Sequence, residues 1–590
     1  ATRDKFYPFY VTIYYKTYPD CEVIETWTEI RHLEKKPVTL YRFASAFLPV
    51  RRGDNWLSHF HGPWGAEAYL YEEVLRDGMR VIKDKDGVRN TQNSCPSFML
   101  TLDGRPDEQH GMVIGGTLAW SGNYRIAIDN DNAHTTRIFA GINEDQSQYI
   151  LEPKEVFTTP VFAFTFSDEG KGGVSRNFHR WARLHRLNHG GEQRSILLNS
   201  WEGVSMNVNQ EVMDQMMADF AAMGGEMFVM DDGWFGDKYP RNNDKAGLGD
   251  WEVNREKLPE GIDHIASYAH DKGLKFGIWI EPEMVNEDSE LYRKHPDWAI
   301  TIPGRNPIRS RNQLLLDFSR KEVRNHVFEQ ICAVLDQGNI EYVKWDMNRS
   351  MADVYASNVT YDYVVGVYDF LEKLTSKYPN ILIEGCSGGG GRFDAGMLYY
   401  TPQIWCSDNT DAINRTRIQY GTSFFYPVAA MGSHVSAVPN HQTGRVTSLH
   451  TRGVAAMSGT FGYELNPALL SVEEKAEIRM QLAKYREHQE LIREGNYYRL
   501  SDPFQDDFAA WMVVSEDQNQ ALVSVVRLTA EANPVAAYVT PRGLAEDAFY
   551  LEKTTGKVYA GAALMEAGIL LTAPKGEYEA YQIMLQRVTE

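Results

Sequence analysis

From residue 1 to about 168, apolar and polar positions alternate in short runs. Val11, Ile13 and Tyr15 interleave with Thr12, Tyr14 and Lys16, and turn clusters such as PDC (19–21) and KDKDG (83–87) separate the runs. A period of two broken by turn residues predicts antiparallel sheet. A helical connector follows over 175–193, where SRNFHRWARLHRL (175–187) puts Phe178, Trp181 and Leu184 on one stripe. From 194 the pattern changes to short apolar runs separated by helical stretches. The runs are SILLNSW (195–201), EMFVMDD (226–232), KFGIWIEPE (275–283), LLLDF (314–318), YVKWD (342–346), ILIEGCS (381–387) and QIWCSD (403–408). One intervening helix, 319–335, carries Val323, Val327, Ile331 and Leu335 as a stripe, with Ser319 and Glu322 placed for a capping box. Seven strand–helix units, with an eighth strand expected near SHVSAVPN (433–440), predict an α/β (β/α)₈ barrel. A charged helix (471–495) closes that region, and strand-like text such as ALVSVVRL (521–528) and YQIML (581–585) returns afterwards. The expected organisation is therefore an N-terminal β-domain over 1–174, the connector over 175–193, the barrel over 194–495 and a C-terminal β-sandwich over 496–590.

Composition narrows the function. The 590 residues include 60 basic and 80 acidic side chains, a net charge of −20. That balance excludes nucleic acid and anionic membrane surfaces as partners, since phosphate binding needs excess Lys and Arg. No run approaches the ~20 apolar residues of a membrane helix, and the first residues, ATRDKFYPFY, show neither an initiator Met nor an apolar signal core. Five cysteines without a CxxC pair do not make a disulfide framework, so a reducing, cytoplasmic setting is expected. Aromatic residues reach 12 %, with 13 Trp and 32 Tyr, which suits a protein offering flat apolar faces to a ligand.

A (β/α)₈ barrel keeps its active site where its strands end. The predicted strand ends carry Trp201, Asp231, Asp232, Trp279, Glu281, Glu283, Asp317, Asp346, Cys386 and Asp408. Like charges gathered at one mouth repel, so cations or a functional use must accompany them. Lys344 shares a barrel face with Asp346, and Arg311 precedes the fourth run. Carboxylates that accept hydroxyl hydrogen bonds, two cations and indole faces describe a sugar pocket. Bland readings stand beside this one. Asp317 fits a helix cap, Glu281-Pro282-Glu283 fits a rigid turn with solvated acids, and the Met-rich run 212–223 fits a core helix face. GCSGGGGR (385–392) lacks the closing GK[ST] of a phosphate loop, so its glycines read as close backbone approach. His59 and His61 read as structural rather than metal-binding.

The motifs DDGWFG (231–236), GDWEVN (249–254), FGIWIEPEMV (276–285), KWDMNR (344–349), EGCSGGGGR (384–392) and SDNTDAINR (407–415) resemble the α-galactosidases of glycoside hydrolase family 36 along essentially the whole chain. The resemblance implies an N-terminal β-supersandwich, a (β/α)₈ barrel and a C-terminal β-sandwich. It implies retaining, exo-acting hydrolysis of terminal α-linked galactose from oligosaccharides such as melibiose or raffinose, without metal or organic cofactor. Two departures accompany it. The chain begins at what resembles the middle of the supersandwich, which puts the tetramer of many members in question, and Asn414 stands where an acidic residue is common.

Carried over motif by motif, Asp346 is the nucleophile and Asp408 the general acid/base, with Asp411 a competitor for the second role. Asp231 and Asp232 hold the galactose C4 and C6 hydroxyls, Lys344 and Arg311 contact ring hydroxyls, Trp201 and Trp279 form walls, and Cys386 and Gly389 approach C2. Little room at C2 favours galactose over N-acetylgalactosamine, the alternative within the family. Lys344 beside Asp346 is expected to favour its ionised form. Rival readings are a metal-dependent barrel using Asp231, Glu281 and Asp346 with Lys344, and a non-catalytic sugar-binding relative, which would lack one of Asp346 and Asp408.

Overall fold

In a computed structural model the protein is described over residues 2–131, 135–145, 147–530, 532–533, 536–571 and 576–588. Eight parallel strands close into a barrel: β1 (Leu197–Asn199), β2 (Met227–Met230), β3 (Lys275–Ile280), β4 (Tyr342–Trp345), β5 (Leu382–Gly385), β6 (Gln403–Trp405), β7 (Met431–Ser436) and β8 (Thr460–Glu464). The ring closes where Leu197 of β1 pairs with Gly462 of β8. These strands are three to six residues long and buried at every position except Lys275 and Leu382, as a sheet covered on both faces requires.

Two expectations about the barrel need correction. LLLDF is not a barrel strand. Leu314 and Leu315 pair antiparallel with Val285 and Met284, in a small hairpin beyond the end of β3. Its leucines are buried against that loop, and burial alone does not place an apolar run in the ring. The missing strand is β8, TFGYE, which follows the helix Leu449–Ala456. The strand near SHVSAVPN exists as β7 and ends at Ser436.

The helix Lys321–Leu335 buries Val323, Val327, Ile331 and Leu335 as expected. Its capping box is absent: Arg320 is the N-cap, and the Ser319 hydroxyl instead donates to Asp317. The box occurs at Val472–Glu494, where Ser471 and Glu474 satisfy each other's backbone N–H groups. The Met-rich helix Gln210–Met223 buries Met213, Met216, Met217 and Met223 in the core. In the connector, helix Gly170–Trp181 passes into a π-turn over Ala182–Arg186. Phe178 and Trp181 are buried, but the wider π-turn rotates Leu184 out to solvent.

The N-terminal region forms a nine-stranded and a four-stranded antiparallel sheet. The hairpin Trp56–His61/Tyr69–Val74 lies at the edge of the larger sheet. Ile13 and Tyr15 of the strand Phe9–Tyr18 stand in solvent rather than in the core. The C-terminal region is a six-stranded antiparallel sheet with a two-stranded companion. Among the described residues no helix is long and apolar enough to cross a membrane.

Candidate active site

The carboxyl ends of the barrel strands open into a cavity of about 680 Å³. Nine of the ten site residues read from the sequence line it: Trp201, Asp231, Asp232, Trp279, Arg311, Lys344, Asp346, Cys386 and Asp408. Gly389 does not, and Gly388 takes its place in the wall. Gly389 adopts a left-handed φ of +80° and packs so close to β6 that an added Cβ would lie 2.6 Å from the Asp408 backbone nitrogen. Its absent side chain makes room for Asp408, not for the ligand.

Asp346 follows β4 and is held on every side. Oδ1 accepts from the Met347 and Gly388 backbone N–H groups at 2.8 and 3.3 Å. Oδ2 accepts from Asn348 Nδ2 at 2.8 Å and Trp279 Nε1 at 3.3 Å. Burial alone would raise this carboxyl, yet Arg311 and Lys344 hold it below the usual carboxylate range. Asp408 follows β6 and shifts the other way. Burial raises it first and the Asp346 charge second, against the indole hydrogen bond of Trp64. Opposed shifts on two carboxyls in one cavity divide them into a base-like and an acid-like member.

Around them, Lys344 Nζ lies 2.8 Å from Asp231 Oδ2, which also accepts from Asn199 Nδ2 at 2.7 Å. Asp232 is paired to the fully buried Arg241, with Nη2 2.9 Å from Oδ2. Glu281 and Glu283 are fully buried, so the reading of solvated turn acids fails. Glu283 accepts from Arg392, Trp345 and Tyr363. Glu281 Oε1 accepts from Asn348 Nδ2 at 2.9 Å, so Asn348 bridges it to Asp346. Asp411 is absent from the cavity wall: it caps the helix Ala412–Thr422 and pairs with Arg445. Asp317 accepts from Ser319 and from Tyr355 Oη, and it also lies outside the wall.

Several lining residues escaped the sequence reading. Glu464 ends β8 as a further acid at a barrel-strand end, and it was missed with its strand. Trp405 lies on β6 with the Arg415 guanidinium 4.3 Å from its ring centroid. Arg415 also donates to the Ser407 and Asn409 carbonyls at 2.8 and 2.7 Å, bracketing Asp408. Trp64, Arg89 and Gln92 come from the N-terminal sheets, and no local signal ties them to the barrel. Trp64 Nε1 donates to Asp408 Oδ2 at 3.0 Å. The glycine tract is gripped by the same domain, as Thr91 donates from N to Gly391 O at 3.0 Å and from Oγ1 to Gly390 O at 2.6 Å.

His59 Nε2 faces Glu73 at 3.0 Å and burial lowers the ring to about 4, a structural histidine. Among the described residues, Asp231, Glu281 and Asp346 do not bring three ligand oxygens within 4.8 Å of one another. The metal-barrel arrangement is therefore not formed by these side chains.

A closed barrel whose mouth joins indole walls to two carboxyls of opposed proton affinity has the parts that two-carboxyl glycoside hydrolysis requires. The chain belongs to glycosyl hydrolase family 36: the melibiase family matches residues 156–495, the family's N-terminal domain 1–152 and its C-terminal domain 508–585. It is 53 % identical over 582 residues to the bifunctional α-galactosidase/sucrose kinase AgaSK of Mediterraneibacter gnavus, covering 98 % of this chain and 62 % of that protein. The chain thus spans less than two thirds of that relative. It is 41 % identical to the α-galactosidase AgaA of Geobacillus stearothermophilus, covering 98 % of this chain and 80 % of that one. The solved structure of an AgaA variant in complex with raffinose superposes with a TM-score of 0.97 at 40 % identity, covering 99 % of this chain and 82 % of that chain.

Proposed function

We propose that this chain is a retaining α-galactosidase that removes terminal α-linked galactose from oligosaccharides by double displacement, with Asp346 as nucleophile and Asp408 as acid/base. The observation that carries this reading is the opposed titration of two carboxyls lining one cavity. In the first step the ionised Asp346 attacks the anomeric carbon while Asp408 gives its proton to the departing oxygen. Esterification of Asp346 removes the charge that had raised Asp408. Asp408 is then a stronger acid, and as its conjugate base it accepts the proton of the incoming water. Asp231 and Asp232 accept sugar hydroxyls, each already ordered by a cation. Lys344 and Arg311 supply positive charge to the ring and to Asp346, and Trp201 and Trp279 form the walls. Cys386, with Gly388 rather than Gly389, crowds C2 and favours galactose over its N-acetylated counterpart. Raffinose-type oligosaccharides are proposed as substrates because a close relative was solved with raffinose. All five cysteines are free, which fits a reducing cytoplasm. Tetramer assembly stays a proposal carried by the family alone.

The test is chemical rescue. Asp346→Ala is expected to lose turnover of nitrophenyl α-galactoside, and added azide to restore it with β-galactosyl azide as product. A folded variant that azide leaves inert sinks the nucleophile assignment. NMR of the first-formed sugar should show the α-anomer, and the nitrophenyl β-galactoside should remain intact.

A further inference from the structure

The segment that carries the acid/base is held by a loop from another domain. Three consecutive barrel residues each touch the tight loop Pro63–Ala68 between the strands Trp56–His61 and Tyr69–Val74. Ser407 Oγ donates to Glu67 Oε2 at 2.6 Å, Asp408 Oδ2 accepts from Trp64 Nε1 at 3.0 Å, and Asn409 Nδ2 donates to the Gly65 carbonyl at 2.9 Å. Glu67 organises both partners. Its Oε1 accepts from the Gly65 N–H at 3.0 Å, which fixes the turn that presents Trp64, while its Oε2 holds the residue just before Asp408. Glu67 is 2 % exposed and is not among the residues that line the cavity.

We propose that Glu67 is a positioning residue for the acid/base, fixing the direction in which Asp408 presents its proton to the departing oxygen. The inference rests on Asp408 being that acid. A carboxyl buried this deeply carries a desolvation cost, which its contacts to Ser407 and the Gly65 N–H offset. Burial raises Glu67 to about 7, while the Ser407 and Gly65 hydrogen bonds favour its ionised form, the form that accepts at both oxygens. General acid catalysis needs the proton aimed along the bond that forms, and a carboxyl free to rotate loses that aim.

The experiment compares kcat/KM for two α-galactosides, 2,4-dinitrophenyl, whose leaving group needs no protonation, and methyl, whose leaving group does. Glu67→Gln keeps the volume but cannot accept at both oxygens. It is expected to lower the methyl value by about 10- to 100-fold, part of the roughly 10²–10⁴ that a general acid supplies, and the dinitrophenyl value by less than about threefold. Ser407→Ala, which removes the other half of the contact, should give the same bias to a smaller degree. Equal losses on both substrates would mark Glu67 as structural only, and no loss on either would also overturn the proposal. Asp408→Asn serves as the reference: without a leaving-group bias there, the acid/base assignment itself fails and Glu67's role with it. A biased Asp408→Asn beside an unbiased, folded Glu67→Gln rejects the Glu67 proposal alone.

Discussion

Lys344 reaches Asp231 rather than Asp346: its ammonium lies 2.8 Å from Asp231 Oδ2, with both side chains buried. The expected influence on Asp346 persists through space, second to that of Arg311 among the cations. One lysine therefore orders Asp231 and helps keep Asp346 ionised.

Lys344→Met should expose both roles. Removing one partner of a buried ion pair strands the other, at about 3–5 kcal/mol of stability. The denaturant midpoint should fall accordingly. The acid limb of kcat/KM should also move to higher pH, because Asp346 loses a cation that holds its proton affinity down. An unmoved limb would confine Lys344 to structure.

The pH–rate profile should be bell-shaped. Asp346 is depressed, so activity should persist below the usual carboxylate range and fail only as that group gains its proton. Asp408 is raised, so the alkaline limb should lie above that range and follow loss of its proton. Stability carries a separate signature. Glu281 and Glu464 rise from 4.5 to about 7 on folding. The folded state then holds more protons than the unfolded one between those values, and their contribution is full below pH 4.5 and lost as pH rises through about 7. Thermal melting should decline over that window, and Glu281→Gln should flatten the decline.

Gly389→Ala should lower kcat and stability together. The added Cβ would press on the Asp408 backbone nitrogen from a left-handed conformation, a strain of about 1–3 kcal/mol. Gly388→Ala isolates the contact: it shares the left-handed conformation, with φ +55°, and its strain, but its Cβ would meet the Arg89 guanidinium at 2.9 Å rather than the Asp408 backbone, so it should cost stability without the same loss of kcat. A Gly389→Ala variant with full activity would break the link between tract and acid.

Cys386→Ala should weaken the preference for galactose over N-acetylgalactosamine, measured as the ratio of kcat/KM on the two nitrophenyl glycosides. An unchanged ratio would remove this thiol from the selection at C2.

The barrel and its mouth were legible because a strand buried on both faces must be apolar and a catalytic strand end must be polar. SILLNSW, EMFVMDD, YVKWD and QIWCSD display both properties in a few residues. The same rule misled at LLLDF, where a loop hairpin buries leucines without joining the ring, and it passed over TFGYE, whose glycine and tyrosine dilute the apolar signal. Trp64 and Glu67 were illegible for a different reason. Both sit in a turn of the N-terminal sheet, and only the packing of that sheet on the barrel brings them to residues 407–409, more than 300 positions away.

That packing limits how far this enzyme can be pared down. The turn at 63–68 and the span 89–92 complete the rim, so cutting the chain to its eight-stranded ring would strip Asp408 of its Trp64 contact and open the apolar core that the ring shares with the leading sheets. A minimal catalytic unit must retain the leading sheets, and swapping that turn between relatives offers a route to altered leaving-group preference without touching the ring.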